Sequence, residues 1–262
     1  MARTSYVSRH LSCTLVAGAA AAALLLTTSL VRAQSDIRTP IGTRGSVVLD
    51  DLAGFRASSV GGVGYSGPLG ISTQSLSENI PSGNANATGG SDTFHYTTIW
   101  FAPELDYFVI DHLSIGGLID IASTSSSFSE SLTGASTTTT SLPTTTNVTV
   151  LPRVGWMFNL ADRWALWPRA GLGYSVRTTA EPTVANGGGV ATNTTDSFSG
   201  FVIDLDASLV FRINQMFFLR ATPEITFVPG SHTLTANNVS TSYGATLFDF
   251  TADIGFGLNW NL

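Results

Sequence analysis

The sequence predicts an all-β protein: an eight-stranded antiparallel up-and-down β-barrel that crosses a membrane. Segments of about ten residues or more carry an apolar side chain at every second position. Short turns alternate with long polar stretches between them, which is typical of β-hairpins in series. Charged residues make up only 11% of the chain, about half of the usual share. No convincing amphipathic helix follows the N-terminal apolar run.

The first 33 residues are predicted to be a signal peptide for Sec-type export. Arg3 and Arg9 precede an apolar run, and Val31, Arg32 and Ala33 end in the small-residue pattern of a signal-peptidase site. A transmembrane helix is the alternative, but no second apolar run of about 18 residues follows. We expect a periplasmic N-terminal segment over residues 34–44 and the barrel domain over 45–262.

The composition excludes several kinds of site. The one cysteine, Cys13, lies in the signal peptide, so the mature chain can form neither a disulfide framework nor a cysteine-based metal site. Lysine is absent, and nine arginines beyond the signal peptide oppose 18 acids. This negative balance disfavours nucleic acid as a partner, because phosphate binding needs a positive surface.

Period-two alternation predicts the strands in order. They are residues 45–58, 94–108, 113–127, 147–158, 164–178, 198–211, 217–228 and 244–262. The last strand is the clearest, since apolar residues hold every second position from Phe248 to Leu262. The first fits least well, because either phase puts Asp50 or Asp51 on the apolar face. That conflict predicts either a β-bulge or a later start of the strand.

The connections predict how the strands are arranged. Short turns begin near Asp111, Asp162 and Asn214, at intervals of 51 and 52 residues, which indicates a repeated hairpin unit. Long polar stretches cover 60–92, 128–146, 179–197 and 229–243. Seven connections join eight strands and place both chain ends on the side of the short turns. The four long stretches are expected to be mobile, outward-facing loops.

The strand length favours a membrane. Strands of a soluble β-sandwich average about six residues, whereas these match tilted strands that cross a bilayer with apolar side chains facing lipid. Six aromatic residues close to the short turns or the chain end would form a girdle at the membrane interface: Tyr107, Trp156, Trp164, Phe211, Phe217 and Trp260. The alternative is that they are ordinary core aromatics.

The opposite phase predicts a charged lumen. It would contain Glu104, Asp106, Asp120, Arg153, Arg169, Arg177, Asp204, Asp206, Arg220, Glu224 and Asp253. An eight-stranded barrel is only wide enough for side chains to fill it, so we expect a salt-bridged plug. An ion-binding or narrow conducting interior is the alternative, since acids outnumber arginines in this set.

The hairpin architecture and the closing strand with Phe256 and Trp260 resemble the small eight-stranded outer-membrane β-barrels of Gram-negative bacteria, such as the OmpA transmembrane domain and OmpX. The resemblance covers residues 45–262. It implies residence in the outer membrane, contact with outer-membrane lipid, and recognition of the last strand by the barrel-assembly machinery. A monomer without cofactor or metal is expected.

No motif indicates catalysis. His95, His112 and His232 stand in neither a Gly-x-Ser-x-Gly nor a His-Glu-x-x-His pattern. Gly62 to Gly67 fits a dinucleotide-binding fingerprint, but Pro68 follows where a helix would have to begin. We therefore expect a non-enzymatic protein with a structural or surface-interaction role. A narrow channel or carrier for small solutes is the first alternative, and a soluble lipocalin-like barrel the second.

Overall fold

The computed structural model describes residues 41–59, 62–80, 90–132, 136–180, 194–236 and 239–261. The predicted signal peptide, most of the N-terminal segment and Leu262 lie outside these residues. No helix in the described part of the chain is long and apolar enough to cross a membrane. The strands are β1 (Ser46–Ser58), β2 (Gly62–Ser66), β3 (Leu69–Ile80), β4 (Gly90–Phe101), β5 (Glu104–Ile110), β6 (Leu113–Leu132), β7 (Thr138–Ser141), β8 (Thr144–Trp156), β9 (Phe158–Asn159), β10 (Trp164–Ala180), β11 (Thr194–Arg212), β12 (Phe217–Ala236) and β13 (Val239–Asn261).

The strands form one antiparallel sheet that closes into a ring of eight. From β1 the order runs through β13, β12, β11, β10, β8 and β6. The short strand β5 completes the ring, because it pairs with both β6 and β1. The predicted eight-stranded barrel is thereby confirmed. The pairing of β13 with β1 leaves this part of the sheet without an open edge, as a sheet in lipid requires.

Proline divides the second barrel strand into β4 and β5. Pro103 has no backbone N–H for the ladder, and the N–H of Ala102 donates instead to the carbonyl of Pro68 at 2.8 Å. The alternation is unchanged across the break, since Phe101 and Leu105 are exposed while Glu104 is buried. The interruption therefore does not change which side chains reach the lumen.

The predicted loop over 60–92 contains two further strands. The outer half of β1 pairs with β2, and β3 pairs with β4. The two new strands meet at the turn of Gly67 and Pro68. Within the described residues β2 and β3 are not hydrogen-bonded to each other. At this end of the barrel they are therefore the two edge strands of the sheet. The wall thus has a notch between β2 and β3 on the side opposite the short turns.

Two other long polar stretches, 128–146 and 229–243, are also largely strand where the structure describes them. The expectation of a loop over 229–243 is wrong, because β12 and β13 stay paired until Ala236 lies opposite Val239. Hydroxyl groups pair across this hairpin, as Thr233 and Ser242 do at 2.7 Å. β-Branched threonine suits a pleated surface, and such cross-strand pairs extend the sheet beyond the apolar part of each strand. Parts of the predicted loops, among them 81–89 and 181–193, lie outside the described residues.

The conflict of phase in β1 is resolved by a bulge. Leu49 lies opposite Leu258 and Ala53 opposite Phe256, so three residues of β1 face a single residue of β13. Both intervening acids, Asp50 and Asp51, can consequently point into the barrel, where they are 0% and 5% exposed.

The three predicted short turns lie together at one end of the barrel. In the last of them the Asn214 side chain accepts the N–H groups of Met216 and Phe217 at 2.8 and 2.7 Å. In the first, His112 adopts a left-handed φ of 74° and its N–H donates to the carbonyl of Gly42 at 2.7 Å. The segment before β1 is thereby attached to this end of the barrel.

Candidate functional site

The candidate site is a cluster of charged side chains in the lumen, which we call the charge network. It draws on seven strands, and only β6 of the ring contributes no charge to it. The network consists of Asp50, Asp51, Arg56, Glu104, Asp106, Arg153, Arg169, Asp206, Arg220 and Asp253. Strand alternation brings these residues together, because every second side chain of a barrel strand points inward.

Arg169 is bound by carboxylates from three strands. Its Nε donates to Asp206 at 2.9 Å, and its Nη1 donates to Asp50 and to Asp106, the latter at 3.3 Å. Its Nη2 donates to the hydroxyl of Ser208 at 3.3 Å. The guanidinium also lies over the ring of Trp167, 4.4 Å from its centroid. With its side chain only 1% exposed, Arg169 uses almost all of its donors within the barrel.

Arg220 makes a second set of bridges. Its Nη1 donates to Asp50 at 3.1 Å and its Nη2 to Asp253 at 2.8 Å. The same Nη2 lies 3.4 Å from Asp51. Asp50 is therefore shared by Arg169 and Arg220, and it links β10 and β12 to the first strand.

Arg153 and Arg56 complete the network. Arg153 donates to Glu104 from both terminal nitrogens at 3.3 Å and to Asp106 at 3.5 Å. Arg56 lies 3.6 Å from Glu104 and 3.8 Å from Asp253. The side chain of Arg56 is 36% exposed, so water reaches the network at this position.

Glycines in the inward phase make room for these side chains. A Cβ at Gly116 would lie 2.4 Å from Oδ1 of Asp106, and one at Gly155 would lie 2.7 Å from Cγ of Arg169. A Cβ at Gly171 would lie 3.0 Å from Cγ of Arg153. Large charged groups on one strand thus lie across a glycine of the next strand, as a lumen of this width requires.

The predicted lumen residues fall into two groups. Seven of them are members of the network: Glu104, Asp106, Arg153, Arg169, Asp206, Arg220 and Asp253. The other four lie further toward the notch end, and of these Glu224 still reaches the network, with Oε2 3.9 Å from Nη2 of Arg56. Asp204 and Glu224 both accept the hydroxyl of Thr226, Asp120 accepts the amide of Asn147 at 2.8 Å, and Arg177 is exposed.

The sequence prediction missed Asp50, Asp51 and Arg56. The available signal was the phase conflict at Asp50 and Asp51, which predicted a bulge or a later start of the strand, but not that both acids would turn inward. Arg56 follows the bulge, and its inward orientation depends on the register after it. In β1, therefore, the residues that point into the lumen can be identified only from the register with β13.

Two apolar clusters inside the barrel enclose the charge network. Toward the short turns the lumen contains Ile41, Val48, Phe108, Met157, Ala165, Trp167, Val210 and Phe218, all buried. Toward the notch end it contains Leu151, Phe198, Val202 and Val228. Along β10 the order is Trp167, Arg169 and Gly171, so the charges lie directly next to the first cluster. The charge network thus lies between the two apolar clusters along the barrel axis.

The outward face carries the predicted aromatic girdle residues near the short turns. Tyr107 is 40%, Trp156 42%, Trp164 44% and Trp260 36% exposed, and Phe211 and Phe217 are half-buried. Trp164 and Phe211 are cross-strand partners with ring centroids 4.8 Å apart. Apolar side chains such as Ile254, 65% exposed, cover the outer wall between this rim and the polar ends of the strands. The outer wall is thus an uninterrupted apolar band with aromatics at one border.

A concavity of about 610 Å³ lies on this outer face and not in the lumen. Its lining includes Pro168, Ala207 and Pro223, which are small or compact residues on three adjacent strands. Larger side chains, such as Leu205 and Phe250, form its borders. It is a depression in the apolar band.

The histidines make separate contacts. Nδ1 of His95 lies 2.8 Å from the Ser75 hydroxyl, and Nε2 of His232 lies 2.7 Å from Asp196. Among the described residues, no three or more His, Asp or Glu side chains are arranged to hold a metal ion.

Comparison with known proteins finds structural neighbours but no match by sequence. No protein-family model matches the sequence, and no curated protein is similar to it. The outer-membrane protein OprG from Pseudomonas aeruginosa has a similar structure, with a TM-score of 0.43 and 10% identity, covering 84% of this chain and 98% of OprG. The outer-membrane protein AlkL, solved in DMPC lipid bilayers, gives a TM-score of 0.41 and 11% identity over 86% of this chain and 94% of AlkL.

Proposed function

We propose that the protein is a non-enzymatic resident of the outer membrane, whose plugged barrel holds a rigid polar sheet above the membrane for contact with the cell surroundings. The filled lumen carries this proposal. Each network arginine lies within 4 Å of at least two carboxylates, and the side chains of Arg153, Arg169 and Arg220 are at most 4% exposed. A solute crossing the barrel would have to separate these ion pairs and both apolar clusters.

The outer face supports a membrane location. Exposed apolar residues on every strand of the ring would be unfavourable in water, by about 25 cal/mol for each Å². In a bilayer the same band faces hydrocarbon, and the aromatic rim lies at the interface. A lipocalin-like soluble barrel would need the opposite arrangement, with its apolar face inward.

Reconstitution tests the plugged barrel. The refolded protein is expected to migrate differently on gels before and after heating and to give no discrete conductance in planar bilayers. The combined variant Trp167→Gly, Arg169→Gly and Phe198→Gly removes a network arginine and one large side chain from each apolar cluster, and it is expected to give conductance events, whereas Arg163→Gly, in a short turn, is not. Discrete events from the wild-type protein that disappear in Asp206→Asn would refute the plugged barrel and support an ion pathway through the network.

A carrier function is the second candidate, and the notch favours it. Arg56 and Glu224, with side chains 36% and 21% exposed, indicate a water-accessible space on the notch side of the network. A solute in that space could leave sideways between β2 and β3 without crossing the network. Uptake of small solutes into vesicles in the absence of conductance would support this function, and uptake equal to that of empty vesicles would argue against it.

A further inference from the structure

The strands extend well past the apolar band, and their outward side chains change character there. Along β6, Ile115, Ile119 and Ile121 are followed in the same phase by Ser123, Ser125, Ser127 and Ser129. Along β12, outward Ile225 and Phe227 are followed by Ser231, Thr233 and Thr235. We call the outward Ser and Thr side chains of β3, β4, β6, β7, β11, β12 and β13 beyond the apolar band the hydroxyl collar.

Among the residues whose side chains the structure describes, the hydroxyl collar contains no Asp, Glu or Arg, and its one imidazole is that of His95, which faces outward on β4 opposite Ser75. Every charged side chain of the described strands lies in the inward phase, including Asp92, Glu130 and Asp196 beyond the band. The other described charges are at the short turns. The one described arginine of the strands' outer parts, Arg177, is also in the inward phase, and the chain has no lysine. A phosphate-bearing headgroup would therefore find no arginine or lysine on the described outward surface at this level, and the one imidazole there, that of His95, already contacts the Ser75 hydroxyl at 2.8 Å.

The geometry of the collar suits neutral hydroxyl groups. Neighbouring outward positions are about 4.8 Å apart across strands and about 6.7 Å apart along them. Collar hydroxyls pair across strands, as Ser77 does with Thr93 and Ser129 with Thr139, both at 3.0 Å. Such a pair uses one of its two O–H donors and leaves the other donor and several lone pairs free. A sheet of this kind offers a regular set of donors and acceptors without charge.

Aromatic rings lie at the boundary between the apolar band and the collar. Tyr174 and Phe201 face outward on β10 and β11 and contact each other edge to face, with centroids 5.6 Å apart. Both rings are exposed, and the phenol gives Tyr174 a polar tip at this level. Apolar ring faces next to a surface of hydroxyl groups are chemically complementary to a sugar, which has apolar C–H faces and hydroxyl groups at its edges.

We propose that the hydroxyl collar binds the uncharged sugar headgroups of glycolipids in the surrounding outer leaflet, in preference to phosphate-bearing headgroups. This proposal rests on the membrane location proposed above. The collar continues directly from the lipid-facing band, so the molecules next to it are the headgroups of the lipids that contact the band. The barrel would thus collect a boundary layer of neutral glycolipid.

Lipid selectivity in vesicles tests the proposal. The refolded protein is placed in phosphatidylcholine vesicles containing trace spin-labelled digalactosyl diacylglycerol, phosphatidylglycerol or phosphatidylcholine, and the fraction of motionally restricted lipid is measured. One net hydrogen bond of ordinary strength corresponds to a preference of roughly fivefold for the digalactosyl lipid. Equal association of the digalactosyl and phosphatidylcholine labels, or preference for phosphatidylglycerol, would overturn the proposal.

Matched variants locate the effect. The pair Thr233→Val and Thr235→Val removes collar hydroxyls at nearly constant shape and is expected to reduce the preference. The pair Thr98→Val and Thr124→Val removes inward hydroxyls, which hydrogen-bond each other at 2.9 Å, and is expected to leave the preference unchanged. Equal effects of the two pairs would contradict the collar as the binding surface.

Two controls separate the possible failures. Heat-modifiable migration and protection from protease are measured first, because a protein that does not insert refutes the membrane location and this proposal together. An inserted protein without lipid preference refutes the collar proposal alone. Free digalactose at millimolar concentration is expected not to displace the labelled lipid, and full displacement would mean that the collar binds soluble glycans.

Discussion

Replacement of Arg169 by Met tests the charge network most directly. The substitution keeps a long side chain next to Trp167 but removes every donor that Asp50, Asp106 and Asp206 receive from this position. Those carboxylates keep weaker partners, since Arg220 lies 3.1 Å from Asp50 and Arg153 lies 3.8 Å from Asp206. Breaking a buried ion pair by removing one partner costs about 3 to 5 kcal/mol. We expect a loss in that range for Arg169→Met.

The control for this change lies on the same strand. Arg177 has the same inward phase on β10, but it is exposed, so Arg177→Met is expected to alter the free energy of unfolding by no more than about 0.5 kcal/mol. Equilibrium urea unfolding from lipid vesicles, followed by tryptophan fluorescence, gives both values if the slope m stays constant. A double-mutant cycle of Arg169→Met with Asp206→Asn is expected to be non-additive, because loss of the acid relieves the uncompensated charge. A cost below about 1 kcal/mol for Arg169→Met, or additivity in the cycle, would refute the reasoning.

Three further changes test other parts of the structure by the same unfolding measurement. Gly116→Ala should lower the free energy of unfolding by about 1 to 3 kcal/mol, because the new Cβ would lie 2.2 Å from the Leu105 carbonyl oxygen. Gly244→Ala, whose Cβ would have nothing within 4 Å, should be nearly neutral. Equal costs would contradict the close packing at Gly116. On β12, Ile225→Arg in the apolar band should cost about 2 to 4 kcal/mol and Ser231→Arg about 0 to 1 kcal/mol, and the reverse order would contradict the position of the band. Ile41→Ala should cost about 2 kcal/mol, because Ile41 is buried against the lumen cluster near the short turns; no change would mean that this segment is not attached to the barrel in solution.

The fold was predictable because its signal is local. Seven of the eight predicted strands show alternation over about ten or more residues, and the short turns recur at nearly equal intervals. The residues beyond the apolar band gave a misleading signal. Ser- and Thr-rich segments such as 229–243 have the composition of loops, but cross-strand pairing with a neighbouring strand is a nonlocal interaction that composition does not reveal.

Part of the candidate site was predictable for the same reason. Alternation alone assigns Arg153, Arg169 and Arg220 to the inward phase, and seven acids with them. It does not assign partners, because a carboxylate may lie near any arginine at a similar height in the barrel. The acids Asp50 and Asp51 show this most clearly, since a local irregularity in β1 decides their orientation.

The sequence by itself determined the alternation, the number of barrel strands, the side on which the short turns lie and the face on which most charges lie. These properties follow from neighbours along the chain, where the direction of each side chain is fixed by the geometry of an extended backbone. The tertiary structure decided which charges meet, that two apolar clusters enclose them, and that β2 and β3 leave a notch in the wall. Those features depend on the register between strands far apart in sequence, which is set by closure of the ring and by the space that inward glycines leave.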